Sequence, residues 1–459
     1  MSDRYPYLEQ FEAKMRAEGL DEMVIETFKG YFSQVVDGAT GIIHDDDIRP
    51  PAEHEVVAAV DLARYRQDGE RTLPAAVRIT LNGGLGTSMG LQGPQSLLPV
   101  RDRMTFLEII MRQAENGGIR QVFMNSFNTH DATLDALASI PHDRPPLTFI
   151  QNKFPKILET DRQPAEWPQA PALEWNPPGH GDIYTAIQTS GTLDRLIAEG
   201  CRYALICNSD NLGATLDPAI LGYMAANDIP FMMEVARRTP ADAKGGHLAV
   251  RTGGGLILRE SAQFPPDSDG RDIARYAFFN TNNLWVDLRQ LKRLIAARGV
   301  IPLPLIVNPK TLDPRDPGSP PVMQLETAMG AAIALFEDAR AVLVPRTRFF
   351  PVKKCNDLLV VRSDCFQLDD QFMLARDPDK PVEEPLVNLD PEFYGRIDQF
   401  EARFPAGVPS MRACQELIVR GDIRFERDVT VSGAVCLTNA GPGQKVIAAG
   451  SRLNEDLTL

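Results

Sequence analysis

Val77-Arg78-Ile79-Thr80-Leu81-Asn82-Gly83-Gly84-Leu85-Gly86-Thr87-Ser88-Met89-Gly90 is an apolar run that opens directly into glycines. The run, Val77 to Leu81, reads as a buried strand, and the glycines read as the loop leaving its carboxyl end. Glycine lets a backbone approach a ligand closely and turn its N–H groups toward negative charge. A Walker loop needs a Lys-Ser/Thr pair after its last glycine, and none follows here. The dinucleotide fingerprint needs a GxGxxG spacing leading straight into a helix, which Gly84, Gly86 and Gly90 do not fit. On spacing alone, a phosphate cradle and a glycine-rich surface loop without a ligand stand level.

Outward from this stretch, short apolar runs alternate with amphipathic ones from about residue 75 to 365. Gln121 to Met124, Leu147 to Ile150 and Tyr203 to Cys207 read as further buried strands. Residues 105–116, 131–138 and 184–199 read as helices between them. That alternation predicts an α/β domain whose sheet is mostly parallel, with ligands at the carboxyl ends of its strands. Before it, Phe11, Met15, Leu20, Met23, Val24, Phe28, Phe32 and Val35 fall at helical spacing, predicting two helices over 6–36. Near the C-terminus Leu417, Ile423, Val429 and Val435 recur every six residues, with Val419, Phe425, Val431 and Leu437 two positions behind. Gly421 and Gly433 sit at turn positions. A six-residue apolar repeat is what each side of a short parallel β-helix requires, and it is favoured here over an antiparallel meander.

Other loops carry chemistry-bearing residues. His180 lies between glycines in Pro177-Pro178-Gly179-His180-Gly181-Asp182, free to face a cleft and donate to a phosphate, or to be an idle loop histidine. Asp210, just after the strand ending at Cys207, stands where a Mg²⁺ ligand or a helix N-cap is expected. Lys353 and Lys354 follow Phe350-Pro351-Val352 and suggest an anion site or solvated lysines. The chain holds 459 residues with a net charge of −14, which argues against a large nucleic-acid or anionic-membrane surface. No signal peptide and no apolar stretch of membrane-spanning length are visible. Six scattered cysteines without a CxxC pair read as reduced thiols in a cytoplasmic protein, and neither zinc spacing nor a nucleophile setting stands out.

Taken together, the segments closely resemble the eukaryotic-type UTP–glucose-1-phosphate uridylyltransferase (UDP-glucose pyrophosphorylase) family. The blocks LNGGLGTSMG at 81–90, FMNSFNTHDAT at 123–133, PPGHGDIY at 177–184 and NSDNLGAT at 208–215 carry the resemblance. MEVARRTPADAKGG at 233–246, FFNTNNLW at 278–285, NPKTLD at 308–313, QLETAMGAAI at 324–333 and FFPVKKCNDLL at 349–359 continue it nearly to the end.

The resemblance implies a Rossmann-like, GT-A-like mixed sheet with N-terminal helices over 1–60, a catalytic α/β domain over 61–385, and a short left-handed parallel β-helix over 386–459. It implies that Leu81, Asn82, Gly83 and Gly84 hold the nucleotide, that Gln151 reads the uracil edge with Gly179 beside it, and that His180 touches the phosphates. Asn208 would lie near the sugar phosphate, and Asp210 would hold Mg²⁺. Gly246, Glu260, Asn280 and Asn282 would line the hexose pocket, and Lys353 would neutralise the α-phosphate during in-line attack. The partners implied are UTP and a sugar 1-phosphate, with the β-helix permitting an end-to-end homodimer.

One departure stands out: Gln95 occupies the place of the family lysine that meets the leaving phosphates. A hydrogen bond to a charged group is worth roughly 1.5–3 kcal/mol. Its loss would slow the reaction roughly ten- to a hundredfold unless Arg101, Arg103 or Lys354 compensates. Besides UDP-glucose synthesis, the departure leaves two alternatives open. One is a specialised transferase for another sugar or cyclitol phosphate or another nucleotide, and the other is a non-catalytic nucleotide-sugar-binding homologue.

Overall fold

Along Ala76–Asn82 alternate side chains must face opposite sides of a sheet, and all seven residues are buried. A strand covered on both faces belongs in the middle of a sheet with helices on each side. The computed structural model, which describes residues 5–101, 103–239, 242, 245–376 and 385–459, has that arrangement. The main strands of its central sheet are β1 (Val56–Ala58), β2 (Ala76–Asn82), β3 (Arg120–Asn125), β4 (Leu147–Ile150), β5 (Tyr203–Asn208), β6 (Phe231–Arg237), β7 (Phe278–Asp287) and β8 (Arg340–Leu343). Their spatial order is β1-β8-β6-β7-β5-β2-β3-β4. Each pair of neighbours is parallel except those made by β7, which runs against both β5 and β6. The result is a mixed α/β sheet, seven strands of which end at one edge.

The expected strands are all present, each within a residue or two of its expected ends. The expected helices at 105–116 and 131–138 appear as Phe106–Asn116 and His130–Ser139. The stretch 184–199 differs, because it forms two helices, Ile183–Thr189 and Thr192–Ala198. Between them Gly191 takes φ 71°, a left-handed conformation that ends the first helix and re-aims the second.

At the N-terminus Leu8–Ala17 and Glu22–Val36 pack through Phe11, Phe28 and Phe32. Phe11 lies 5.0 Å from Phe28 and 4.8 Å from Phe32 between ring centroids, and Phe28 reaches Phe154 at 5.4 Å. These helices therefore anchor on the body through one aromatic cluster.

In the C-terminal region Leu386–Leu389, Ser410–Arg420, Thr430–Thr438 and Arg452–Leu453 pair in that order, every contact parallel. A second parallel pair joins Ile423–Phe425 to Lys445–Ile447. Leu417 stands opposite Val435 and Val419 opposite Leu437, residues three six-residue repeats apart. Gly421 turns the chain at φ 80°, whereas Gly433, expected at a turn, lies inside the strand Thr430–Thr438 with φ 70°, opposite Cys414 where the pairing register shifts. The inward residues share one core with Phe350, Val352, Leu358 and Leu359, so the segment carrying Lys353 rests on the C-terminal strands.

Candidate active site

The parallel register brings the strand ends into a row. Leu81 lies beside Asn208, Asn82 beside Asn125, and Asn125 beside Ile150. The glycine loop leaves β2 here, with Gly86 and Gly90 at φ 58° and 71°. It folds back on itself where the Gln95 N–H donates to the Gly84 carbonyl at 3.0 Å. Beneath it, Asn82 Nδ2 donates to Asn125 Oδ1 at 2.8 Å and to Thr133 Oγ1 at 2.9 Å. Ser126 Oγ donates to the Gly83 carbonyl at 3.0 Å. The loop base is therefore fixed by side chains of the next strand and helix, as a pre-formed cradle requires.

Gln151 packs against this loop: a Cβ on Gly83 would stand 2.9 Å from its Nε2. Its own N–H donates to the Asn125 carbonyl at 2.8 Å, which holds the residue at the edge of the sheet. The next residue is clamped by Asp182, which accepts from Asn152 N at 2.6 Å and Nδ2 at 2.9 Å. Burial pushes the Asp182 carboxyl up to about 7, against the pull of those bonds. Gly179 has φ 75°, and a Cβ there would lie 2.5 Å from the Thr327 carbonyl oxygen. Only glycine fits that approach.

His180 Nδ1 accepts from the Met329 N–H at 3.0 Å. Burial, and then the charge of Lys353, pushes the imidazole down to about 4. The ring is therefore neutral at ordinary pH, and with Nδ1 accepting, its one proton sits on Nε2 as a hydrogen-bond donor.

Asp210 and Lys353 meet across the site. The Asp210 carboxylate is buried; Oδ2 pairs with Lys353 Nζ, while Oδ1 has no hydrogen-bond partner among the described residues. The Lys353 side chain is 58% exposed. Its segment is held at several points. The Val352 N–H donates to the Asp210 carbonyl at 3.1 Å, and the Phe350 N–H donates to Asn211 Oδ1 at 2.9 Å. Asp357 Oδ2 accepts from the N–H groups of Lys353 and Lys354 at 2.8 and 2.9 Å. Ser88 Oγ of the glycine loop donates to the Lys353 carbonyl at 2.9 Å.

Gln95 Nε2 also donates to this segment, at the Val352 carbonyl. Arg101 donates to the carbonyls of Arg362 and Ser363 at 3.0 and 2.6 Å. Among the described residues no group of three His, Cys, Asp or Glu side chains gathers to hold a metal. A buried carboxylate oxygen without a donor is nevertheless a fit site for a hard cation that shares its other positions with phosphate and water.

The four residues of the implied hexose pocket also come together. Asn280 Nδ2 donates to Asn282 Oδ1 at 2.8 Å, and the Asn282 N–H returns to Asn280 Oδ1 at 2.9 Å. The Asn280 N–H donates to the Gly246 carbonyl at 3.1 Å. A Cβ on Gly246 would fall 2.5 Å from Glu260 Oε2. Burial raises the Glu260 carboxyl to about 7, opposed by its bond to Asn280.

Under the pocket Glu234 accepts from Arg348 Nε at 2.9 Å, Asn283 Nδ2 at 3.0 Å and Trp285 Nε1 at 2.9 Å. Asn211 Nδ2 donates to the Arg348 carbonyl at 3.1 Å and ties this network to the Asp210 loop. Asp182, Asp357 and Asn211 were not assigned roles from the sequence. Asp357 had a readable signal, because it stands three residues after Lys354 at the start of Cys355–Arg362, where a capping carboxylate is expected.

A sequence model of the UTP–glucose-1-phosphate uridylyltransferase family matches residues 25–432. The chain is 37% identical over 439 residues to the potato (Solanum tuberosum) UTP–glucose-1-phosphate uridylyltransferase, covering 92% of this chain and 90% of the relative. The Saccharomyces cerevisiae protein of the same name is 37% identical over 424 residues, covering 90% and 83%. In structure, a Leishmania major UDP-glucose pyrophosphorylase mutant in complex with UDP-glucose superposes with a TM-score of 0.92 at 40% identity, covering 99% of both chains. A UDP-glucose phosphorylase from Trypanosoma brucei gives a TM-score of 0.90 at 40% identity, again over 99% of both. By sequence along most of its length and by fold over nearly all of it, this chain belongs to the UTP–glucose-1-phosphate uridylyltransferase family.

Proposed function

We propose that this protein joins UTP and glucose 1-phosphate to give UDP-glucose and pyrophosphate. The observation that carries the reading is the Asp210–Lys353 pair, pinned beside the glycine loop by Ser88, Gln95 and Asp357. It supplies a mobile cation and an acceptor oxygen where a transferring phosphoryl group would lie.

Leu81, Asn82, Gly83, Gly84 and Gln151 hold the nucleotide, with Gly179 leaving room for it. His180 donates Nε2–H to the phosphates, and Asn208 lies at the sugar phosphate. Gly246, Glu260, Asn280 and Asn282 take the hexose. A phosphate oxygen of the sugar attacks the α-phosphorus of UTP in line, and the bond from that phosphorus to the pyrophosphate oxygen breaks. Lys353 moves from Asp210 toward the α-phosphate and spreads the charge developing there. Asp210, through its unpartnered Oδ1, would hold Mg²⁺, which when bound neutralises phosphate charge. No side chain need form a covalent intermediate.

The reading extends to organisation. The N-terminal segment over 1–60 is helical through Leu8–Ala17 and Glu22–Val36 and feeds β1 into the central sheet, 61–385 is the catalytic domain, and 386–459 a short left-handed parallel β-helix, supported by the parallel pairing and six-residue repeats. Exposed Leu386, Val446 and Leu457 on that stack support a homodimer formed through it. A cytoplasmic location is in keeping with six cysteines carried as thiols.

Purified protein with Mg²⁺ should form UDP-glucose from UTP and glucose 1-phosphate faster than any product from panels of other triphosphates and sugar phosphates. Faster turnover of another pair would make it a specialised transferase. Silence with every pair, together with UDP-glucose binding, would make it a binding protein.

A further inference from the structure

The glycine loop carries no charge of its own, since no Lys, Arg, Asp or Glu occurs from Leu81 to Val100. Toward a leaving pyrophosphate it offers only N–H groups and neutral side chains. A group of such charge is held far better by ionised donors. Of the neighbouring donors, Lys353 pairs with Asp210, the Gln95 amide is on the Val352 carbonyl and Arg101 is on the carbonyls of Arg362 and Ser363, while Arg103 and Lys354 are exposed on the flanking segments.

One guanidinium does reach the loop, from the C-terminal side of the chain. Arg396 immediately precedes the helix Ile397–Arg403 and lies over Gly90, where a Cβ would stand 3.1 Å from Arg396 Nε and 3.3 Å from its Cγ. Gly90 is in the left-handed region at φ 71°, and its bare backbone makes room for that side chain. The Arg396 N–H is fixed by Gln399 Oε1 at 3.1 Å, so its main chain is held. Among the described residues the guanidinium itself has only a long pairing with Asp398, at 3.7 Å, with the two side chains 63% and 72% exposed. An exposed pair of that length holds it weakly and leaves its donors available. The turn Thr87–Met89 thus meets the Lys353 main chain through Ser88 Oγ, and Gly90 at its end meets the Arg396 side chain.

We propose that Arg396 is a pyrophosphate-binding residue, its planar fork taking oxygens of the β- and γ-phosphates of UTP and of the departing pyrophosphate. The proposal rests on the uridylyltransferase reading above. It makes the C-terminal region a direct contributor to the site, and it assigns the cation that position 95 does not supply. Because UDP-glucose lacks both leaving phosphates, Arg396 should act on UTP and pyrophosphate and leave the nucleotide sugar alone.

The test measures KM for pyrophosphate and for UTP, and the Kd of UDP-glucose by calorimetry. It compares the full-length protein with Arg396→Gln and Arg396→Lys. Arg396→Gln is expected to raise both KM values roughly tenfold or more with the UDP-glucose Kd unchanged. Arg396→Lys, which keeps the charge without the planar fork, should recover part of the loss. Unchanged KM values in Arg396→Gln would overturn the proposal. So would an equal weakening of UDP-glucose, which marks a structural role, or a Lys variant no better than Gln. If the unsubstituted protein makes no UDP-glucose at all, the uridylyltransferase reading itself fails, and that outcome is distinct from an active protein indifferent to Arg396.

Discussion

At the scale of single residues, environment sets the chemistry more than identity does. Glu260 and His180 are displaced in opposite directions by the same cause, burial, which disfavours whichever form is charged. Glu260 takes up its proton near 7 in the folded protein and at about the ordinary 4.5 when unfolded. Between those values the native state binds more protons, so this group adds stability as pH falls from about 7 toward 4.5. His180 works against it, because the unfolded chain protonates near 6.5 and the native ring only near 4. Urea unfolding at pH 5 and pH 7.5 isolates the carboxyl. Glu260→Gln should lose the part of the pH dependence that favours low pH, and an identical difference in both proteins would show that Glu260 is ordinarily ionised.

At the scale of elements, the site is a set of loops held by tight backbone approaches. Gly179→Ala places a Cβ 2.5 Å from the Thr327 carbonyl oxygen at a φ that side chains resist. The strain alone costs about 1–3 kcal/mol, and relieving the clash moves the His180 turn. The expected outcome is a lowered denaturation midpoint together with a raised KM for UTP; a variant with both unchanged would show that the turn is slack.

This scale also explains what could be read from sequence. Val77 to Leu81 and Tyr203 to Cys207 were legible because a strand buried on both faces must be a continuous apolar run. The C-terminal repeat was legible because its period matches no helix. The break at Ser190–Gly191 was not, since the helical apolar spacing continues on either side of it and only the left-handed φ of Gly191 interrupts it. The reversal of β7 was equally hidden, because a strand inside a covered sheet has the same apolar pattern in either direction. Among site residues, Asp182 lay within a quoted motif, yet its clamp on Asn152 spans thirty residues of sequence and needed the fold.

At the scale of the whole molecule, one hydrophobic core runs from the helix Phe106–Asn116, through the segment after Phe350, into the C-terminal strands. Leu417 is fully buried in it, and Leu417→Ala should cost about 2–5 kcal/mol. Because the Lys353 segment rests on the same core, activity and structure should be lost together on heating. Retention of activity after the C-terminal strands have melted would separate the two regions. The same continuity gives a shift of the C-terminal strands a direct route to Lys353 and to Arg396, both of which border the glycine loop.

In the proposed reaction a lysine held by a buried carboxylate supplies the charge for uridylyl transfer. The most direct test is the rate of UDP-glucose formation from UTP and glucose 1-phosphate by the protein and by Lys353→Gln, which keeps a donor for Asp210 and removes the charge. Ready synthesis is expected from the former and a kcat roughly a hundredfold lower from the latter. Equal rates in the two proteins would contradict that role.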